Sequence, residues 1–584
     1  MTGCANGQIC PLVLAIAVCA VAIGGRLALC SPPSSHADDR EFRAVVAQFI
    51  DSQMRLFPEQ ATEDGDHRFD DQLSDYSPSG IQAKIRHARE WKARFKRWHG
   101  TLSAPDETDR EWLVASLDEQ LLWEEEVKFY RSDPGVYLPT SAVDSLIKRD
   151  FAPLGRRMGS VAAREHAALT NLQQARINLK ASAVSKVAVD IALQQMPATI
   201  DFFRKDVPIA FAEVPDSAAK REFSSSNRRL IAAITSYRHW LEGFRVKASG
   251  GIRLGPHAFR RMLADDDMVD APTKQLDQLG REELARLQGQ FKQTAALIDS
   301  HRPPEEVFKA LSGRHPEPSK LIDTVAAGLA QLRAYVTEHH IATIPSAEAP
   351  LVRETPPFAR ATTFASTDTP GPLEKKELAA YFYVTLPEPS WPASRTDQLL
   401  AFFSAPAISN TSVHEVYPGH FVQFLDNRGN PDLVRSLFYS GANVEGWAFY
   451  CEQMMLDEGL HRGAPEYRLA QLQMALQRAC RYLVAIAMHT GSMSVAQAAD
   501  FFRASAYMTP NNAMMEALRG TQDPGYLRYQ LGKFMILKLR EDVRRKQGAA
   551  FDLGKFHDAF LAQGGLPIKL IRRAMLGTDQ GGQF

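Results

Sequence analysis

The sequence predicts a mainly α protein carrying one small β-sheet, and three observations point that way. Apolar residues recur at three- and four-residue spacing through most of the 584-residue chain, the period of a helix with one buried stripe. A single Pro/Ser/Thr-rich stretch, residues 341–372, interrupts the pattern, and a strand-like run follows it. Apolar residues make up 45% of the chain, enough for a large core. Lys plus Arg and Asp plus Glu number 68 each, without a long run of one sign. Charge therefore gives no case for nucleic acid as a partner.

The first element is a leader. "CPLVLAIAVCAVAIGG" is an apolar run too short for a comfortable membrane span. Ser35-His36-Ala37 resembles a small-residue cleavage site, so residues 1–37 are expected to be a signal peptide. Two alternatives stay open: a lipoprotein signal using Cys30, which the bulky Leu29 disfavours, and an uncleaved anchor. The expected location is exported, periplasmic or secreted, with membrane contact only through this segment if it is retained. Four of the six cysteines lie in the leader. Cys451 and Cys480 remain, and two buried thiols on separate helices are expected. No Cys-x-x-Cys pair exists, which excludes a cysteine-based zinc site.

Residues 38–584 read as one mainly helical unit. "EFRAVVAQFIDSQMRLF", "REWLVASLDEQLLWEEEVKFY", "LDQLGREELARLQGQFKQTAALI" and "LIDTVAAGLAQLRAYVTEH" all carry helical spacing. The break at 341–372 precedes "AAYFYVT" (379–385), the best strand candidate, which could serve as an edge for an extended peptide. From Arg395 the helical pattern resumes almost to the end. The half from about residue 340 holds the stretch with chemistry in it.

That stretch is "HEVYPGH", residues 414–420. Zinc peptidases use His-Glu-x-x-His, with both histidines on one helical face. Here they stand six apart, which in an unbroken helix turns the second ring by about 240°. Pro418 removes a helical N–H and Gly419 accepts unusual backbone angles. A bulge at this pair would return His420 to the face of His414; otherwise the helix simply ends at Pro418. An open zinc site needs a third protein ligand. "VEGWAFYCEQMMLDEGL" (444–460) supplies Glu445 and, two turns on, Glu452. Its neighbours Trp447, Phe449, Met454 and Leu456 leave little of this helix polar, so its carboxylates need partners.

Glu-Gly-Trp-Ala-x-Tyr-x-Glu (445–452) resembles the segment of alanyl-type aminopeptidases whose first Glu is a zinc ligand. His-Glu-x-x-Pro-Gly-His resembles the bacterial domain-of-unknown-function 885 family, which is similar to gluzincin peptidases of helical build. "IRLGPHAFRRML" (252–263), "QRACRYLVAIAMHTGSMSVAQAADFF" (477–502) and "DPGYLRYQLGKFMILKLR" (523–540) are similar to family segments. Ala485 departs from the family, where an Asp is expected.

The resemblance implies a large helical zinc-peptidase-like fold with a central cleft and the small sheet near the site. It implies Zn held by His414, His420 and Glu445, with Glu415 as general base. Tyr529, with Tyr526 in reserve, would stabilise the oxyanion. His489, Glu452, Arg519, Arg481 and Lys533 are expected as supporting or substrate-binding residues. The segment that holds a free amino terminus in alanyl-type aminopeptidases has no counterpart. The expected function is an exported zinc metallopeptidase acting on peptides or oligopeptides. A zinc hydrolase of a non-peptide amide and a non-catalytic exported binding protein are the alternatives.

Overall fold

The computed structural model describes residues 37–356, 360, 363–388, 391–578 and 582–584. Residues 1–36 of the expected leader lie outside the described residues. Each helical segment named above forms a helix: Ala37–Leu56, Ala104–Leu121, Thr273–Ile298 and Leu321–Glu338. The first shows why. Phe42, Val45, Val46, Phe49 and Ile50 fall on one stripe and are buried together. Among the described residues, no helix is long and apolar enough to cross a membrane.

The helices enclose two cores. Leu154–Asn178, Lys186–Asp201 and Ala218–Arg245 build one of them from residues between Ile81 and Ala248. The larger core draws on residues from Phe42 to Ile571, so the first helices and the last share it. The N-terminal part of the chain is thus divided between a lobe of its own and the main body, a division that helical periodicity does not reveal.

Among the described residues the sheet has three strands of four residues: β1 (Leu351–Glu354), β2 (Ala365–Asp368) and β3 (Tyr381–Val384). Their order is β1-β3-β2, with β1 parallel and β2 antiparallel to β3. Two expectations are corrected here. The Pro/Ser/Thr-rich stretch is more than a break, because it supplies β1 and β2, both too short and too polar to show alternation. The strand-like 379–385 segment is the centre of the sheet, not an edge. Its backbone is paired on both sides, and Tyr381, Phe382 and Val384 are buried. β2 is the outer strand on the side that meets the motif.

Six helices frame the motif: α1 (Ala405–Glu415), α2 (His420–Arg428), α3 (Gly441–Asp457), α4 (Pro465–Thr490), α5 (Pro510–Gln522) and α6 (Arg528–Gln547). α3 and α6 cross in backbone contact. A Cβ on Gly446 would stand 2.5 Å from Gly532 Cα, and one on Gly532 would stand 1.8 Å from the Ala442 carbonyl oxygen. Only glycine at both positions allows this approach. The start of α3 is fixed by buried Asp267, which accepts from Ser440 Oγ (2.9 Å) and the Ala442 N–H (2.8 Å). Arg528 at the start of α6 reaches the same carboxylate at 2.9 Å, tying the two helices together at one end. Cys451 on α3 and Cys480 on α4 are free and buried, as their sequence context predicts.

Candidate metal centre

The motif does not bulge within one helix; it divides into two. α1 ends at Glu415 and α2 begins at His420. The link folds back on the last turn of α1: the N–H groups of Val416 and Tyr417 both donate to Ser412 O, and Gly419 N–H donates to Val413 O. The Tyr417–Pro418 peptide is cis. A Cβ at Gly419 would meet the His414 carbonyl oxygen at 1.8 Å, so no side chain fits there. Trp447 Nε1 donates to the Pro418 carbonyl at 2.9 Å, which ties the link to α3.

This arrangement brings the two histidines together. Their ring centroids lie 4.8 Å apart with planes at 86°. His414 Nε2 and His420 Nε2 lie 3.7 Å and 3.5 Å from Glu445 Oε2. These distances are too long for good hydrogen bonds, and Glu445 Oε2 is buried with no hydrogen-bond partner among the described residues. They suit donors around an ion, since two atoms each 2.0–2.1 Å from a tetrahedral zinc stand about 3.4 Å apart. One ligand atom from each of His414, His420 and Glu445 can be chosen so that all lie within 4.8 Å of one another. Two imidazoles and a carboxylate form a donor set typical of open zinc sites, so the residues fit that metal. The Glu445 side chain is 30% exposed, which leaves the centre open to solvent on that flank.

Behind these three side chains lies a charged layer. His414 Nδ1 stands 2.8 Å from Glu452 Oε1. Glu452 also accepts from Asn410 Nδ2 at 2.7 Å and faces Arg478 at 3.3 Å. Glu452 is thus brought against His414 at the ring nitrogen that does not face Glu445. Burial works against charge on His414, but Glu445 and Glu452 outweigh it and hold the imidazole up at about 9. Burial likewise opposes the Glu445 carboxylate, yet the two histidines keep it well below the usual range.

Glu415 is half-buried beside His414. Its Oε2 accepts from the Thr367 N–H of β2 at 3.0 Å, and its carbonyl accepts from Thr367 Oγ1 at 2.7 Å. Tyr529 stacks on His414, with ring centroids 6.1 Å apart and planes at 15°. Its hydroxyl accepts from Arg519 at 3.4 Å. Burial and Glu445 push that hydroxyl up to about 12, against Arg519 and Arg481, so it stays protonated and able to donate at neutral pH. Tyr526, the reserve, turns instead toward Gly520, where an added Cβ would meet its hydroxyl at 2.3 Å.

The remaining candidates divide. Arg519 sits at the rim, paired with Asp523 at 3.1 Å and 41% exposed. Arg481 is buried and gives both forks to Glu516, at 2.6 and 2.7 Å, while lying over the Tyr529 ring. It braces Tyr529 and is closed to a substrate carboxylate. Lys533 is 1% exposed, with Nζ 4.1 Å from the Phe449 ring centroid. Burial pulls it down to about 8. His489 is not brought to the cluster. Its Nε2 lies 2.7 Å from Gly520 O and its Nδ1 accepts from Leu254 N–H at 3.2 Å, so it is a satisfied core histidine. Ala485 is fully buried within α4. Sequence reasoning missed Thr367, Asn410 and Arg478. Asn410 stands one turn before His414. Arg478 and Arg481 are both buried on α4, where buried cations call for carboxylates. Thr367 carries no such signal.

The fold is shared with solved proteins. A structure from Shewanella oneidensis, described as that of a presumed lipoprotein of unknown function, superposes with a TM-score of 0.77 at 25% identity, covering 92% of this chain and 99% of the other. A presumed lipoprotein from Colwellia psychrerythraea superposes with the same TM-score of 0.77 at 18% identity and with the same coverage, 92% and 99%. No curated protein matches the chain. The family model for bacterial protein of unknown function, DUF885, matches residues 58–575. That span takes in one core whole, the larger core except for its contribution from Ala37–Leu56, the sheet and every residue of the candidate centre, and the chain belongs to the DUF885 family.

Proposed function

We propose that this chain is an exported zinc-dependent hydrolase that cleaves peptide bonds. The observation that carries the reading is the convergence of His414, His420 and Glu445 on one point, with Glu415 alongside and the flank of Glu445 open to solvent. A purely structural metal site would use a closed ligand set and would have no use for Glu415. Bound zinc would supply a Lewis acid and lower the pKa of water. Glu415 accepts the proton of the attacking water and delivers it to the leaving amine. The Tyr529 hydroxyl, its oxygen already accepting from Arg519, turns its proton toward the oxyanion.

Peptide is the preferred substrate because of β2. Thr385 N–H donates to Phe364 O, so alternate residues of β2 face β3 and the others face outward. Ala365 thereby presents its N–H and C=O at an edge adjoining Glu415, where an extended peptide can add as a short strand. Export is supported by the apolar leader and by the description of both solved relatives as presumed lipoproteins. That description favours the Cys30 alternative for the leader.

The test is metal content and peptide-library hydrolysis for the mature chain and for Glu415→Gln. About one zinc per chain in both, with cleavage lost in the variant, is expected. Zinc binding without cleavage of any peptide would redirect the search to other amides. Absence of zinc from both would overturn the reading.

A further inference from the structure

We infer that Arg149, which belongs to the N-terminal half and touches no metal ligand, is a positioning residue for Glu415, acting through β2. The inference rests on the general-base reading of Glu415. Glu415 takes two bonds from Thr367, one on its carboxylate and one on its backbone carbonyl. Its carboxylate is therefore placed only as well as β2 is placed. A four-residue edge strand backed on one side has little stability of its own.

Arg149 supplies what the strand lacks. Its Nη2 bonds Asp368 Oδ1 at 2.8 Å, at the residue next to Thr367. Its Nη1 bonds the Ala379 carbonyl, just before β3, and its guanidinium lies 5.2 Å from the Tyr381 ring centroid. One planar side chain thus joins the end of β2 to the start of β3, a geometry that suits Arg and not Lys. Lys148 adds a weaker hold on Asp368 at 3.5 Å.

The segment joining β2 to β3 is gripped again farther along. His67 Nε2 lies 2.7 Å from Glu374 Oε2, and Leu373 N–H donates to Asp64 O at 2.8 Å. A Cβ on Gly65 would stand 2.2 Å from Glu374 N, and one on Gly371 2.1 Å from Glu63 O. Residues 63–67 therefore hold this hairpin, partly in backbone contact, and the side chains of Lys148 and Arg149 hold it at Asp368. The N-terminal half contributes no ligand, yet it builds the wall that holds the base.

The experiment compares Arg149→Met, Arg149→Lys and Asp368→Asn with Glu415→Gln in the mature chain. It measures zinc content, kcat and KM on a cleaved peptide, and deuterium exchange over residues 363–372. Arg149→Met and Asp368→Asn are expected to retain zinc and KM, to lower kcat about 10- to 100-fold, and to speed exchange in β2. Arg149→Lys should fall between them and the native chain. A side chain that only stabilised the fold would lower the melting temperature and leave kcat and local exchange as they are. That result overturns the inference. If Arg149→Met does not fold, Asp368→Asn, at a side chain 18% exposed, carries the same test. If Glu415→Gln cleaves as fast as the native chain, the general-base reading fails, and the exchange data still decide whether Arg149 holds β2.

Discussion

Replacing Glu452 by Gln separates the orienting role of a buried carboxylate from its role in the fold. Glu452 is 1% exposed and meets three partners: His414 Nδ1 at 2.8 Å, Asn410 Nδ2 at 2.7 Å and Arg478 at 3.3 Å. Glutamine keeps the volume and the bond from Asn410 but loses the charge. His414 then lacks the carboxylate that fixes its ring and makes Nε2 a stronger donor to a metal. Losing such a partner weakens metal binding about 10- to 100-fold, or about 1.4–2.7 kcal/mol. Arg478, 7% exposed, is also left without its counter-charge, which costs the fold about 3–5 kcal/mol. Competition with a chromophoric chelator at fixed pH measures the first effect, and urea unfolding of the metal-free chain measures the second. The double variant Glu452→Gln/Arg478→Met removes the stranded cation, so it should recover stability but not zinc affinity. A folded Glu452→Gln chain that binds zinc within twofold of the native value would refute the reasoning.

Tyr529→Phe removes the proposed oxyanion donor and should lower kcat about 10²–10³-fold with zinc retained; Tyr526→Phe should leave kcat unchanged, and equal effects of the two would reject the assignment. Gly532→Ala puts a Cβ 1.8 Å from the Ala442 carbonyl oxygen, so α3 and α6 must separate, at a cost of about 3 kcal/mol or more in chemical unfolding; a loss under about 0.5 kcal/mol would mean the helices do not touch. His557 is fully buried, with Nδ1 2.6 Å from Ile341 O and Nε2 2.9 Å from the Tyr450 hydroxyl. Burial pulls it down to about 4, so the folded state holds it neutral while the unfolded chain protonates near its ordinary 6.5. Its contribution is complete above pH 6.5 and is lost as pH falls toward 4, by about 3 kcal/mol. Unfolding titrations of the native chain and His557→Gln should diverge in slope across that window; parallel curves would exclude the assignment.

The helical architecture was legible because stripes such as Phe42, Val45, Val46 and Phe49 repeat with the helix. The sheet was half legible. Tyr381, Phe382 and Val384 form an apolar run, but β1 reads Leu-Val-Arg-Glu and β2 reads Ala-Ser-Thr-Asp. Strands this short and polar are made by tertiary contacts, here the bonds of Thr367 to Glu415 and of Arg149 to Asp368. The centre divides in the same way. The convergence of His414, His420, Glu445 and Glu452 was legible because metal-site chemistry restricts residue type and helical spacing restricts position. His489 stands apart because a histidine after an apolar run has the same sequence whether it supports a site, contacts a substrate or bonds two backbone groups. The backbone of Leu254 supplies one of its partners, 235 residues away, and no local pattern carries that information.

The spacing of the two histidines has a physical consequence for how the centre is assembled. At a spacing of four, a single helix would present both histidines and its rigidity would set their distance. With six, the distance is set by the link, and the link is held from two directions. The Ser412 and Val413 carbonyls hold it from α1, and Trp447 Nε1 holds it from α3. α3 also carries Glu445, so the residue that tethers the link and the third candidate ligand are two positions apart on one helix. That helix is in turn fixed by the glycine contact with α6, which carries Tyr529. The donor atoms therefore do not inherit their geometry from one secondary element. They inherit it from the α1–link–α2 turn locked against α3, and Gly419, Gly446 and Gly532 are the positions where that locking admits no side chain.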